Sequence, residues 1–304
     1  MKGSMFFCGG PDLRSGFAAC LLAMGMMVGS AGAQVYNLTS GNATASINAG
    51  GGSGPLGLNS WVVDGISQAK QQWYYYGIGA AANQSVDSMG NLTLNSQTAS
   101  SVQFTYANAA SSPDYKVTLY YNLTAAANGS GISGMGETAT FYNLSANPLT
   151  LRFFDYTDMD LTGTPNNQSV TLYNKSLGTT YFYQTAGSYT FTNKTVSSAG
   201  GLFTSASHLD ANLFSTTLQT LTNGTASSLG DHLSAGPGDA TAGEEWDVTL
   251  APGSTLLLSK TLNMVVPEPG VAAILALGFA SLVMARKKGL ARDTKAGRNK
   301  IHAD

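Results

Sequence analysis

Between residues 34 and 265 apolar and polar side chains alternate with a period of two, in short runs. Val102, Phe104 and Tyr106 alternate with Gln103 and Thr105, and Val117, Leu119, Tyr121 and Leu123 with Thr118, Tyr120, Asn122 and Thr124. A pleated strand sends every second side chain to the same face, so β-branched and aromatic residues at this period predict half-buried strands. Further strands are expected near 60–63, 71–76, 91–94, 137–143, 149–156, 169–173, 180–184 and 188–192. Trp246, Val248 and Leu250 lead into Ala251-Pro252-Gly253-Ser254 and then 255–262, which reads as a hairpin with Pro and Gly at its corner. About a dozen short strands punctuated by Gly, Asn and Pro predict an all-β, β-sandwich-like domain, not a βαβ plan. Leu209, Leu213, Phe214, Leu218 and Leu221 sit near helical spacing in a Thr-rich segment and fit helix or strand equally. The stretches 50–54 and 227–243, rich in Gly, read as loops.

Two apolar runs lack this period. The first, 16–28, follows basic Lys2 and Arg14 and precedes Ala31-Gly32-Ala33, the pattern of a secretory signal cleaved after Ala33, before Gln34. At about 13 residues it is shorter than the roughly 20 of a membrane span. Both cysteines, Cys8 and Cys20, lie within this signal. The processed chain is therefore expected to hold no disulfide, no thiolate nucleophile and no Cys-ligated metal.

The second run, 271–284, lies between Val266-Pro267-Glu268-Pro269-Gly270 and Arg286-Lys287-Lys288. The prolines stop any preceding element, and the run predicts a single C-terminal hydrophobic helix of about 15 residues, roughly 22 Å long. Against a hydrocarbon core of ~30 Å that is a marginal span. The basic cluster is expected to stay cytoplasmic and residues 34–266 to lie outside.

Pro-Glu-Pro, a short apolar helix and a basic cluster, in this order over 266–288, resemble the PEP-CTERM sorting domain of Gram-negative bacteria. The resemblance implies export and recognition by an exosortase, a membrane-embedded, cysteine transpeptidase-like processing enzyme. It also implies cleavage near Pro267-Glu268-Pro269, followed by release or attachment at the cell surface. The family is associated with bacteria that make exopolysaccharide and biofilm matrix. The tail departs from the pattern, because members usually end soon after the basic cluster. The chain thus divides into a signal peptide (1–33), a β-rich exported domain (34–265), a sorting signal (266–288) and a basic cytoplasmic tail (289–304).

Charge sharpens this division. The formal net charge is −2, yet residues 34–266 carry six Lys/Arg against thirteen Asp/Glu, a net of −7. Nucleic-acid binding is not expected, since phosphate contacts need clustered Lys and Arg. Asp155, Asp158 and Asp160 form the densest acidic group. On a continuing strand Asp158 and Asp160 share a face and Asp155 points away; a turn lets all three converge on a calcium ion. Asp231, Asp239, Glu244, Glu245 and Asp247 form a second group, expected as solvated loop acids. Glu244 and Glu245, adjacent on a strand, point to opposite faces and make a poor pair for glycoside hydrolysis.

His208 and His232 are the histidines of residues 34–265. Neither has a Gly-X-Ser-X-Gly elbow or His-X-X-X-His spacing nearby. Trp61, Trp73, Tyr74-Tyr75-Tyr76 and Tyr181-Phe182-Tyr183 are expected mainly in the core, with sugar stacking as the alternative. Asn-X-Ser/Thr triplets at Asn37, Asn91, Asn122, Asn143 and Asn193 follow from composition.

These features lead to the expectation of a non-enzymatic protein of the cell surface or extracellular matrix, with a structural or adhesive role within exopolysaccharide. Its expected partners are the Sec export machinery, an exosortase and the membrane. The alternatives are a polysaccharide-active enzyme and a calcium-dependent carbohydrate-binding module. Two carboxylates facing each other in a cleft would favour the enzyme.

Overall fold

The computed structural model describes residues 34–52 and 54–267. The signal segment with Ala31 and Ala33 lies outside the described residues. So do Glu268, Pro269 and Gly270, the expected helix over 271–284, Arg286, Lys287, Lys288 and the tail. Among the described residues no helix is long and apolar enough to cross a membrane.

The first half contains strands Val35–Ser40 (β1), Ala43–Asn48 (β2), Gly57–Val63 (β3), Ile66–Ser67 (β4), Gln71–Ile78 (β5), Gln84–Ser85 (β6), Thr93–Gln97 (β7), Ser101–Ala107 (β8), Tyr115–Ala125 (β9) and Ile132–Asn143 (β10). The second adds Leu149–Asp158 (β11), Gln168–Ser176 (β12), Thr179–Ala186 (β13), Tyr189–Ala199 (β14), Leu202–Phe203 (β15), His208–Leu213 (β16), the helix Thr216–Thr222 (α1), Ser234–Gly238 (β17), Ala240–Leu250 (β18) and Thr255–Val265 (β19). They form two antiparallel sheets in a sandwich-like arrangement. One runs β1-β2-β3-β5-β11-β18-β16, with β4 on β3 and β6 on β5. The other runs β17-β12-β13-β14-β19-β10-β9-β8-β7, with β15 on β14.

Strands β8, β9 and β10 alternate buried and less buried residues along their length, as the period-two pattern predicts. Strands β5 and β18 are instead buried on both faces over most of their length. The outer face of β18 is covered near Gly243, where an added Cβ would lie 2.8 Å from Leu229 Cδ1 and 2.9 Å from Thr217 Cγ2. A strand covered on both sides loses its alternation, which is why β18 was only partly legible in the pattern.

The chain changes sheet repeatedly, and here the expectations need correction. Strand β18 pairs with β11 and β16, whereas β19 pairs with β10 and β14. The turn at Pro252-Gly253 is therefore an arch between sheets, not a hairpin. Its local chemistry reverses the chain but does not select the partner. Buried Asn143 fastens this arch: its Nδ2 donates to Leu250 O at 2.9 Å and Ala251 O at 3.1 Å, and its backbone O accepts the Gly253 N–H at 2.9 Å. That triplet asparagine is thus consumed by the fold. The ambiguous 209–221 segment is both structures in turn, β16 and then α1. The expected loop over 227–243 is shorter, because Ser234–Gly238 pairs with β12 and β18 starts at Ala240.

The sheets meet through aromatic side chains. Trp61 of β3 packs edge-on against Phe191 of β14 at 6.3 Å, and Phe153 of β11 meets Phe141 of β10 at 6.0 Å. Two indole N–H groups have partners on the facing sheet, Trp61 donating to Ser133 Oγ at 3.1 Å and Trp246 to Ser197 Oγ at 2.9 Å, while Trp73 donates to Ser85 Oγ of neighbouring β6 at 2.7 Å. Buried tryptophans need such acceptors, and small hydroxyl residues supply them.

Candidate functional site

Strand β16 and the segment leading into β17 exchange two His–Asp pairs. His208 and Asp210, two apart, share one face of β16. Asp231 and His232 lie alongside, held by the Ala211 N–H donating to His232 O at 2.7 Å. His208 Nδ1 lies 3.1 Å from Asp231 Oδ1, and His232 Nδ1 lies 2.8 Å from Asp210 Oδ1. Thus each segment gives one imidazole and one carboxylate.

The second pair has the more demanding geometry. Asp210 is buried, and its Oδ2 accepts from Asn212 Nδ2 at 2.8 Å and Thr217 Oγ1 at 3.1 Å. An ionised carboxylate can only accept, so His232 carries its proton on Nδ1 and turns the Nε2 lone pair outward. The imidazole is 67% exposed and the carboxylate 3%. Gly230 permits this approach: a Cβ there would lie 2.8 Å from Asp210 Oδ1 and 2.9 Å from His232 Nδ1.

Behind His208 stands Glu245, its direct partner across the β16–β18 ladder. Asp247, two residues on and on the same face, has Oδ2 3.7 Å from His208 Nε2. Glu245 is buried, not a solvated loop acid, and its Oε2 accepts the Leu229 N–H at 2.6 Å while Oε1 has no partner. Burial pushes its carboxyl up to about 7 and Asp247 adds to this, against the Leu229 N–H and His208. A group at that value can give or take a proton near neutrality. A groove of about 380 Å³, lined by Gly79, Thr150, Arg152, Ser228, Asp247 and Thr249, lies against this face.

Glu244 points the other way, as adjacency requires, into the interior between the sheets. There Lys260 Nζ sits 2.5 Å from Asp155 Oδ2 and 3.2 Å from Glu137 Oε2, all three fully or almost fully buried. Gln72 Nε2 donates to Asp155 Oδ1 at 2.6 Å, and Thr195 Oγ1 donates to Glu244 Oε2 at 2.9 Å. Burial, with Asp155 next to it, pushes Glu244 up to about 8 despite Lys260. Burial alone would lower Lys260, but Asp155, Glu137 and Glu244 together hold it above its ordinary value. This cluster is closed to ligands.

The expected calcium triad is consequently split. Asp155 is committed to Lys260, while β11 ends at Asp158 and the chain turns. Asp239, from the link between β17 and β18, joins Asp158 and Asp160 instead, with one carboxylate oxygen from each within 4.8 Å of the others. No local spacing could have shown this, since Asp239 lies 79 positions beyond Asp160. Of the other predicted residues, Gln34 N donates to Gly50 O at 2.9 Å and Val266 N to Gly131 O at 2.7 Å, and Pro267 follows half-buried.

The aromatics divide as alternation dictates. Trp61, Trp73 and Tyr74 are core residues, as is Phe182, whereas Tyr183 stands 43% exposed on the outer face. Tyr173 and Tyr181 stack there, with ring centroids 5.3 Å apart and planes 10° from parallel. Thr192, Lys194, Thr261 and Asn263 line the adjoining cleft of about 420 Å³. Flat aromatic faces beside hydrogen-bonding side chains suit a sugar ring, whose faces are apolar and whose rim is hydroxylated.

Neither a family model nor a curated protein matches the chain. Among solved structures, it is similar to a galactose mutarotase-related enzyme of Lactobacillus acidophilus, with 6% identity, TM-score 0.46, 78% of this chain and 99% of that one covered. It is also similar to an aldose epimerase homologue of C. elegans, with 10% identity, TM-score 0.41, and 77% and 98% covered. A third similarity is to a bacterial glucoamylase complexed with acarbose, with 10% identity and TM-score 0.46, covering 81% of this chain but 36% of that one. At such identities and scores the likeness concerns architecture and assigns neither activity nor residues. The expectation of a non-enzymatic protein is nevertheless corrected. It rested on the address signals, the Ser/Thr/Asn-rich acidic domain and missing motifs, with the histidines counted as lone and the second acidic group as solvated, but His208, His232, Asp210, Asp231, Glu245 and Asp247 come together around β16 and β18.

Proposed function

We propose that the protein is a carbohydrate-active enzyme whose proton transfers run through His232 and His208. The observation that carries this reading is the Asp210–His232 pair, a buried carboxylate orienting an exposed imidazole. Nε2 of His232 accepts a proton from a sugar hydroxyl, and Asp210 stabilises the imidazolium that forms. His208, held between Asp231 and Asp247 and backed by Glu245, is the second proton carrier. Ring opening, epimerisation and glycosidic cleavage all need such an acid and base, so the reaction class is proton transfer at a sugar carbon or oxygen. The tyrosine platform, on the outer face of the other sheet, is a separate surface that also suits sugar rings.

The site of action is outside the inner membrane, with exopolysaccharide as the accessible carbohydrate. Residues 266–288 support this through their likeness to an exosortase sorting signal. Intact-mass analysis in cells with and without exosortase tests that part; retention of 268–304 in both refutes it.

For the activity, the purified chain is offered a panel of aldoses, oligosaccharides and acidic polysaccharides while optical rotation and reducing ends are followed. Turnover of at least one substrate, reduced about 100-fold or more by His232→Gln, is expected. No turnover across the panel, or equal turnover by the variant, contradicts the reading.

A further inference from the structure

We propose that Asp158, Asp160 and Asp239 bind a divalent cation of the calcium class at the seam between the end of β11 and the β17–β18 link. One oxygen from each carboxylate lies within 4.8 Å of the other two. Two oxygens on opposite sides of a calcium ion, each at about 2.4 Å, are separated by about 4.8 Å, so the three can share one ion.

The carboxylates also have unused capacity. Asp158 is 2% exposed, and its Oδ1 is buried without a hydrogen-bond donor; Asp239 Oδ1 is likewise buried and unpartnered. A buried acceptor with no donor is expensive to maintain, and a cation removes the deficit. The hydroxyl of Tyr156, two residues before Asp158 on the same strand face, is buried close to Asp158 and Thr241, and its electrostatic neighbours include Asp239. It can donate to a water bound on the ion.

Lys70 is the cation whose field reaches all three acids, yet it forms no ion pair with them within 4 Å among the described residues. One lysine against three carboxylates leaves room for a divalent charge. The donor set is all oxygen, without imidazole or thiolate, which favours a hard cation over zinc or copper. The ion would join a strand end, the turn after it and a link some 80 residues further on, closing a long loop. The site is separate from the His–Asp pairs, and its test does not depend on sugar turnover.

The metal-stripped full chain is titrated with Tb³⁺ while its tyrosines are excited, and Ca²⁺ is then used as competitor. Sensitised emission saturating at one ion per chain, reversed by Ca²⁺ more effectively than by Mg²⁺, is expected. Asp239→Asn should weaken binding about tenfold or more, and Asp160→Asn gives the same readout should the first variant not fold. Wild-type affinity in a folded variant overturns the proposal, as does absence of saturable emission or equal displacement by Mg²⁺.

Discussion

Asp210 Oδ1 and His232 Nδ1 lie 2.8 Å apart, the carboxylate buried and the imidazole facing solvent. An amide at 210 keeps the shape but can donate through its NH₂ group, so Asp210→Asn permits the wrong imidazole tautomer. Turnover should fall by about 10³–10⁴ while KM changes little, as with carboxylates that orient a catalytic histidine. Steady-state kinetics on the best sugar substrate measures the split; a loss confined to KM would argue for substrate binding instead.

Gly230 offers a test from the backbone side. In Gly230→Ala the new methyl meets both members of the pair, at 2.8 and 2.9 Å, so His232 or the segment must move. Turnover should drop at least about tenfold, with a stability loss of about 1–3 kcal/mol from overpacking. Denaturant titration and NMR of the His232 ring nitrogens separate the two effects.

The interior cluster predicts how stability follows pH. Burial first, and Asp155 second, raise Glu244 to about 8 from an ordinary 4.5, so the folded chain holds this proton more firmly than the unfolded one. That contribution is complete below the unfolded value and is lost as pH rises through 8. Lys260, held above its ordinary value, adds a further loss at higher pH. The Tm should therefore be several degrees lower at pH 9 than at pH 5.5. Glu244→Gln, neutral at both pH values, should flatten the difference; an unchanged slope would remove Glu244 from the explanation.

Lys260 itself balances Asp155 and Glu137 in the interior. Lys260→Met leaves those acids facing one another and should cost about 3–5 kcal/mol, the scale for breaking a buried ion pair on one side. Urea unfolding of the variant reads this directly.

The tyrosine platform can be removed without touching the core. Tyr181→Ala deletes the ring on which Tyr173 stacks and should weaken oligosaccharide binding by about 1–2 kcal/mol, with Tm nearly unchanged. Calorimetric titration checks it; equal affinity would remove the platform from carbohydrate binding, and because it lies on the other sheet from the His–Asp pairs, turnover of small sugars should be unaffected.

Much of the strand plan was legible because strands such as β8 and β10 keep one face much less buried, and alternation records that contrast. Sheet membership was not legible: the Pro252-Gly253 corner looks alike in a hairpin and in an arch, and only distant pairing decides. The opposite directions of Glu244 and Glu245 follow from their adjacency. Their burial does not: the facing sheet covers Glu244, and Leu229 and Thr217 arrive from elsewhere to cover the face of Glu245. The His–Asp pairs left one trace, since His208 with Asp210 and Asp231 with His232 are two short His/Asp groupings able to pair crosswise. In the acidic trio, Asp158 and Asp160 were evident as neighbours, but Asp239 came from the β17–β18 link.

The most direct measurement is sugar turnover by His232→Gln beside the wild-type chain, with circular dichroism and Tm confirming that both are folded. The account predicts a loss of about 100-fold or more in kcat with the fold intact. Turnover within twofold of wild type, in a folded variant, would contradict it.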